Sequence, residues 1–332
     1  MASSAVIRRL VTFIVFFAVI SVWTTLQLHR DFIIGSNYEA KPASIQARVE
    51  HVQDQQPLTI WPGSNHSYYK VFYNRLPKCG STSVKILIRE LKEKNGFKFF
   101  EDKDYEIQVL SGRNLSRFAQ MVDRLPTPSI YDKHIFYVDF QQFGLDQPVY
   151  INLVRDPVEQ RISDYYYMRF GRHGENQTAQ QRHRRTEKER SQTFDECVFN
   201  NLWECNASGA KRFLMTQFFC GQDSICMEPS QAAVEKAKEN IRRHYAVVGV
   251  LEEFSSFLKV LEMVMPQFFR GAHDTWRGIE SQQMEYQKTA KKRPPSVKAR
   301  TIMRQRLQLD YQVYDFIKDR FHMQKTQLGI VD

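Results

Sequence analysis

Lys78, Ser81 and Thr82 stand in the stretch "PKCGSTS" (residues 77–83), between an apolar run and a helical pattern. The first N–H groups of a helix are unsatisfied and carry the positive end of its dipole, so such a turn can hold an anion. The expected ligand is phosphate-like or sulfate-like, and the loop also contains Cys79 and Gly80. Ser and Thr are equally common helix caps and Gly is an ordinary turn residue, so a purely structural turn stays open on this stretch alone. The pattern G-x-x-x-x-G-K-[ST] occurs nowhere in the chain, which removes the main warrant for a Walker A kinase or ATPase. A second turn follows "YINLV": Arg155 opens "RDPVEQRIS", and Ser163 falls about two turns into the next helical pattern.

The elements that would position these residues are legible as strand–helix units. "YKVFYNR" (69–75) predicts a strand, and "STSVKILIRELKEKNG" predicts a helix ending near Gly96 with Val84, Ile86, Leu87 and Leu91 on one side. Residues 148–154 predict a buried strand, followed by Asp156 as N-cap, Pro157 at N1 and Glu159 at capping-box spacing. A helix over 231–243, the strand "YAVVGVL" and a helix over about 252–264 form a third unit. Alternation of this kind implies an α/β fold with a parallel sheet, whose ligands bind beyond the C-terminal strand ends. Lys78 and Arg155 would both face that crevice.

The chain has 332 residues, enough for a sizeable core, and a formal net charge of +10. Residues 10–28 are uncharged and follow Arg8 and Arg9, as expected of a signal-anchor span with a cytosolic tail at 1–9. A cleaved signal peptide is the competing reading, but no clear small-x-small cleavage site follows. Residues 29–68 lack a sustained period and read as a lumenal stem, leaving 69–332 as the catalytic domain. N-x-[ST] patterns at Asn65, Asn114, Asn176 and Asn206 are compatible with lumenal exposure.

Cys197, Cys205, Cys220 and Cys226 fall in two close pairs, and Cys79 is left over. In an oxidising lumen the simplest pairing is Cys197 with Cys205 and Cys220 with Cys226, although the count does not fix connectivity. Each closure would contribute roughly 2–3 kcal/mol. C-x7-C and C-x5-C are not usual zinc spacings, and no metal-ligand spacing occurs elsewhere. Residues 169–192 carry seven Lys/Arg against three acidic residues, and 287–300 carry six against none. Such runs are commonly solvated surface; in a lumenal protein they otherwise point to polyanionic glycans rather than nucleic acid.

"YNRLPKCGSTS" and "INLVRDPVEQRISDYYYMRFG" resemble the phosphosulfate loop and 3′-phosphate motif of Golgi sulfotransferases, more narrowly the glycosaminoglycan 2-O-sulfotransferases. The likeness runs through "KHIFYVDFQQFG", "TFDECV", "FFCGQDSIC", "VVGVLEEF" and "FFRGA" to "QKTAKKRPP", spanning nearly all of 69–325. Cys-Gly after the loop lysine is closer to the uronyl 2-sulfotransferase and pipe branch than to the heparan sulfate branch. The resemblance implies a P-loop-like sulfotransferase fold and the donor 3′-phosphoadenosine 5′-phosphosulfate, with no metal. It places Lys78, Cys79, Gly80, Ser81 and Thr82 at the phosphosulfate, and Arg155 and Ser163 at the 3′-phosphate. Trp276, Thr289 and Lys292 match a late loop over the nucleotide, although Trp276 could equally be a packed aromatic. His134 matches the family's catalytic base, and Asp132 stands where a second histidine is often found. Imidazole titrates near the right pH to take a proton from an attacking hydroxyl, while Lys78 would neutralise charge on the transferred group.

The implied acceptor is a glycosaminoglycan uronic acid 2-hydroxyl, in dermatan or chondroitin sulfate before heparan sulfate, with Arg184 and Arg185 expected to contact the chain. A glycan-binding relative without transfer activity is the rival from another class. By the same resemblance the protein is expected in the Golgi membrane, as a homotrimer.

Overall fold

The computed structural model describes residues 66–102, 109–171, 185–206 and 215–331. The expected anchor, the stem as far as residue 65, Asn65, Asn176 and Arg184 lie outside the described residues. Among the described residues no helix is long and apolar enough to cross a membrane.

The chain runs β1 (His66–Asn74), α1 (Ser81–Asn95), β2 (Lys98–Glu101), α2 (Gly112–Asp123), β3 (Ser129–Lys133), β4 (Gln147–Val154) and α3 (Pro157–Phe170). Short helices α4 (Glu187–Ser191), α5 (Phe194–Phe199) and α6 (Met215–Cys220) follow, then α7 (Gln231–His244) and β5 (Tyr245–Val250). The C-terminal part is helical: α8 (Phe254–Val264), α9 (Pro266–Phe269), α10 (Ala272–Gln287), α11 (Val297–Arg306) and α12 (Gln308–Gln327). β1 starts at His66, before the expected domain boundary at residue 69.

The strands form one parallel sheet in the order β2-β3-β1-β4-β5. From β1 the chain moves out to β2, returns to β3, then passes β1 to reach β4. The strand order therefore reverses between β1 and β4, and that is where an open α/β sheet presents a ligand crevice. All eight residues of β4 are buried, in keeping with its nearly continuous apolar run. Phe72 of β1 packs against Tyr150 of β4 with ring centroids 5.0 Å apart, and against Tyr131 of β3 at 5.4 Å.

Helix α1 buries Val84, Leu87, Ile88 and Leu91, an i, i+3, i+4, i+7 stripe. Ile88 thus takes the core position expected of Ile86, which is half-buried. Gly96, at φ 70°, closes the helix by donating its N–H to the Lys92 carbonyl. Polar side chains knit the strand ends. Asn152 Nδ2 donates to the Asn74 carbonyl (2.5 Å), Tyr245 Oη donates to Asn74 Oδ1 (3.0 Å), and Leu76 N donates to Asn152 Oδ1 (3.5 Å). These bonds fix the direction in which the chain leaves β1. Disulfides join Cys197 to Cys205 and Cys220 to Cys226, while Cys79 is a buried free thiol.

Candidate active site

The turn after β1 is held in an unusual backbone path. Lys78 has φ 62° and Gly80 φ 77°, both in the left-handed region. A Cβ on Gly80 would lie 2.7 Å from Leu251 Cδ1 and 3.2 Å from Leu153 Cδ2, so any other residue would have to displace these side chains as well as strain the backbone. Buried Gln160 of α3 pins the loop by donating to the Pro77 carbonyl (2.9 Å). Helix α1 then begins at Ser81 with no side-chain cap, and both Ser81 and Thr82 are half-buried at its first turn. A closed-in glycine, an uncapped helix start and a lysine form a cradle suited to a phosphate or sulfate group. Cys79 is fully buried, and burial raises its thiol far above the usual range. It is an inert wall of this loop.

The second turn, after β4, lies across the crevice. Asp156 caps α3 by accepting from Val158 N and Glu159 N, with Pro157 at N1 as expected. The expected capping box does not form: Asp156 N donates to Glu252 Oε1 (3.0 Å), and Glu159 turns to the basic residues instead. Glu159 Oε2 pairs with Lys292 Nζ (2.8 Å) and Arg155 Nη2 (3.4 Å), and Oε1 pairs with Arg300 Nη2 (2.5 Å). Burial raises the carboxyl's pKa, but the bonds from Lys292 and Arg300 outweigh it and bring it to about 2.

One face of α3 gathers the remaining expected residues. Ser163 Oγ lies 3.2 Å from Thr289 Oγ1, Ala290 N donates to the Gly171 carbonyl, and Lys291 Nζ sits 5.1 Å above the Phe170 ring. Across the crevice Lys78 Nζ stands 3.5 Å above the Tyr167 ring. Positions 159, 163, 167 and 170 recur at helical spacing, so a single stripe of α3 receives both the first loop and the segment around 289–292. Trp276 is 3 % exposed and packs edge-on against Phe254 at 5.1 Å, with its Nε1 buried and lacking a partner. It is a packed aromatic in the structure.

His134 follows β3 and is 6 % exposed. Its Nδ1 lies 2.7 Å from the Arg75 carbonyl, which can only accept, so Nδ1 carries the proton. Nε2 therefore accepts from Arg75 Nη1 at 2.9 Å. Burial, and then the charge of Arg75, lower the imidazole pKa to about 3. Asp132 is fully buried and draws Arg75 from the other side, with Nε–Oδ2 2.5 Å; Lys85 is 3.6 Å from the same oxygen. Lys85 also pairs with Glu101 (3.1 Å), and Lys133 with Asp102 (2.5 Å). Sequence reasoning passed over Arg75, Lys85 and Glu159. The one signal for Arg75 is its place at the end of an apolar strand, and the spacing of Glu159 points only to a cap.

Arg185 is built into the far end of α3: Nη1 donates to the Met168 carbonyl (3.1 Å) and Nη2 pairs with Glu204 Oε1. Arg169, itself buried, binds the other Glu204 oxygen at 2.5 Å. Asn114 is exposed in the first turn of α2, and Asn206 is half-buried beside Cys205. Among the described residues no group of His, Cys, Asp and Glu is placed to hold a metal ion.

Comparison with known proteins agrees with this geometry. Residues 65–317 match the Sulfotransferase family. The chain is 34% identical to the uronyl 2-sulfotransferase of Homo sapiens over 263 residues, covering 79% of this chain and 64% of that protein. The chain thus spans somewhat less than two thirds of that relative's length. It is 33% identical to the heparan sulfate 2-O-sulfotransferase 1 of Xenopus laevis over 258 residues, covering 76% of this chain and 70% of the relative. A heparan sulfate 2-O-sulfotransferase of Caenorhabditis elegans is 29% identical over 271 residues, covering 79% of this chain and 80% of that one. With the switch-point crevice, the uncapped helix at Lys78 and the cationic turn at Arg155, these likenesses mean that the chain belongs to the sulfotransferase family, among its glycosaminoglycan 2-O-sulfotransferases.

Proposed function

We propose that this protein transfers a sulfuryl group from 3′-phosphoadenosine 5′-phosphosulfate to the 2-hydroxyl of a uronic acid in dermatan or chondroitin sulfate. The observation that carries this reading is the meeting of two basic strand-to-helix turns at one switch point, within a chain related to uronyl 2-sulfotransferases. Gly80 and the start of α1 cradle the phosphosulfate, and Lys78 offsets the charge that grows there as the S–O bond to the donor breaks. Arg155, Ser163, Thr289 and Lys292 hold the 3′-phosphate end of the nucleotide.

His134 takes the proton of the attacking hydroxyl at Nε2. In the structure that nitrogen is held by Arg75, so the base is exposed only when Arg75 turns away. An anionic acceptor offers Arg75 an alternative partner, and its negative charge raises the imidazole pKa toward the working range. The same acceptor thus both presents the hydroxyl and prepares the base. Arg185, paired with Glu204 at the end of α3, has a structural role in this reading rather than the acceptor contact expected from its charge.

The buried disulfides and the N-terminal apolar run support a lumenal catalytic domain anchored in the Golgi membrane as a type II protein. The test is to incubate the detergent-solubilised full chain with labelled donor and desulfated dermatan, chondroitin or heparan chains, then analyse the disaccharides. Label on the 2-position of uronic acid in dermatan or chondroitin is expected. Label mainly on heparan iduronate would replace the acceptor, and no label on any chain would overturn the transferase reading.

A further inference from the structure

We propose that Glu159 is a positioning residue that docks the 288–300 segment on α3 and sets the charge of the 3′-phosphate pocket. The inference rests on the nucleotide reading above. Glu159 is not needed as a cap, because Asp156 already accepts from the first free N–H groups of α3. Its two oxygens instead collect cations from three places: Arg155 at the turn after β4, Lys292 in the basic segment, and Arg300 in α11. Without a carboxylate between them these cations would repel one another in a partly buried space. With it they converge beside Ser163 and Thr289, whose hydroxyls are 3.2 Å apart.

The charge count is also informative. Three cations share one carboxylate, leaving a surplus of two, and a phosphomonoester carries about −1.5 to −2 near neutral pH. Each cation contacts Glu159 through a single nitrogen, whereas an arginine has five N–H donors and a lysine three. The pairing therefore orients these side chains and leaves donors for a phosphate. Glu159 acts as an organising counter-ion of the pocket and never as a reacting group.

Calorimetry on the full chain, with adenosine 3′,5′-bisphosphate and adenosine 5′-monophosphate as probes, separates this role from a general defect. In Glu159→Gln the bisphosphate should bind roughly tenfold more weakly, the scale of a charge-assisted bond, while the monophosphate stays within about twofold. Tryptic cleavage after Lys291 or Lys292 should quicken in the absence of nucleotide. Arg300→Gln, made on the other partner, should show the same selective loss, and the double variant should be no worse than the weaker single one. Equal loss for both nucleotides, unchanged discrimination, or tighter bisphosphate binding would overturn the inference for Glu159. A parent protein that does not distinguish the two nucleotides would overturn the nucleotide reading itself.

Discussion

The two sides of the crevice handle charge in opposite ways. On the α3 side, three cations share one carboxylate in a partly exposed pocket. Beside β3, Arg75, Lys85, Arg89 and Lys133 answer Asp132, Glu101 and Asp102, and most of these groups are buried. The first cluster is open to an anion because its positive charge is incompletely matched. The second is nearly balanced, so its ions hold the histidine in place until something competes for Arg75. Binding power comes from leaving charge unmatched near solvent, and positioning comes from matching it in the interior.

The widest gap between the two sides should be seen at His134. His134→Ala is expected to lose sulfate transfer by roughly two to four orders of magnitude, the usual worth of a positioned base, yet bind adenosine 3′,5′-bisphosphate as the parent does. Single-turnover assays and calorimetry on the same preparation check this, and near-normal turnover would place the base elsewhere. Next in size is Asp132→Asn, which leaves the buried Arg75 guanidinium without its counter-charge and should cost roughly 3–5 kcal/mol in urea unfolding. Equal stability of variant and parent would mean that the buried cluster is not balanced in the way described. Arg155→Ala should weaken bisphosphate binding by about 1.5–3 kcal/mol, with a smaller change in turnover at saturating donor. Lys78→Ala should lower both, because in the proposed reading it offsets charge on the group being transferred.

Acid should also separate the regions. Burial depresses the folded-state pKa of His134 to about 3 against an ordinary 6.5, so the folded state favours the neutral ring. Its contribution to stability is full above about pH 6.5 and is lost as pH falls toward 3. A plot of melting temperature against pH should therefore be shallower between pH 6.5 and 4 in His134→Gln than in the parent. Parallel curves would remove this residue from the acid response. The smallest effect is expected at the rim, where Arg89 is about half-exposed: Arg89→Ala should change stability by less than about 1 kcal/mol even though Arg89 and Lys85 together lower the Glu101 pKa to about 2.

What could be read from the sequence follows from how local each signal is. β1, β4, β5 and their helices carry long apolar periods and turn residues, so their order implied a parallel sheet. β2 and β3 have four and five residues and include Lys98, Glu101, Asp132 and Lys133; only pairing with neighbours makes them strands. The same division holds for the site. Lys78 and Arg155 stand out because each follows a strand and precedes a helix. Arg155 lies only four residues before Glu159, but the other partners of Arg75 and Glu159, from Asp132 to Arg300, are distant in sequence and no spacing rule connects them. Arg185 shows the reverse case: a basic run suggested a glycan contact, while its chain-distant partner Glu204 draws it into the framework.

The free thiol in the first loop has a practical consequence. Cys79 is completely covered and holds its proton tightly, so it should neither exchange with the disulfides nor react with alkylating reagents while the turn is closed. Any labelling of native protein would then time the local opening of the β1–α1 turn. Slower labelling in the presence of adenosine 3′,5′-bisphosphate would make this single sulfur a built-in clock for how firmly the crevice closes on its nucleotide.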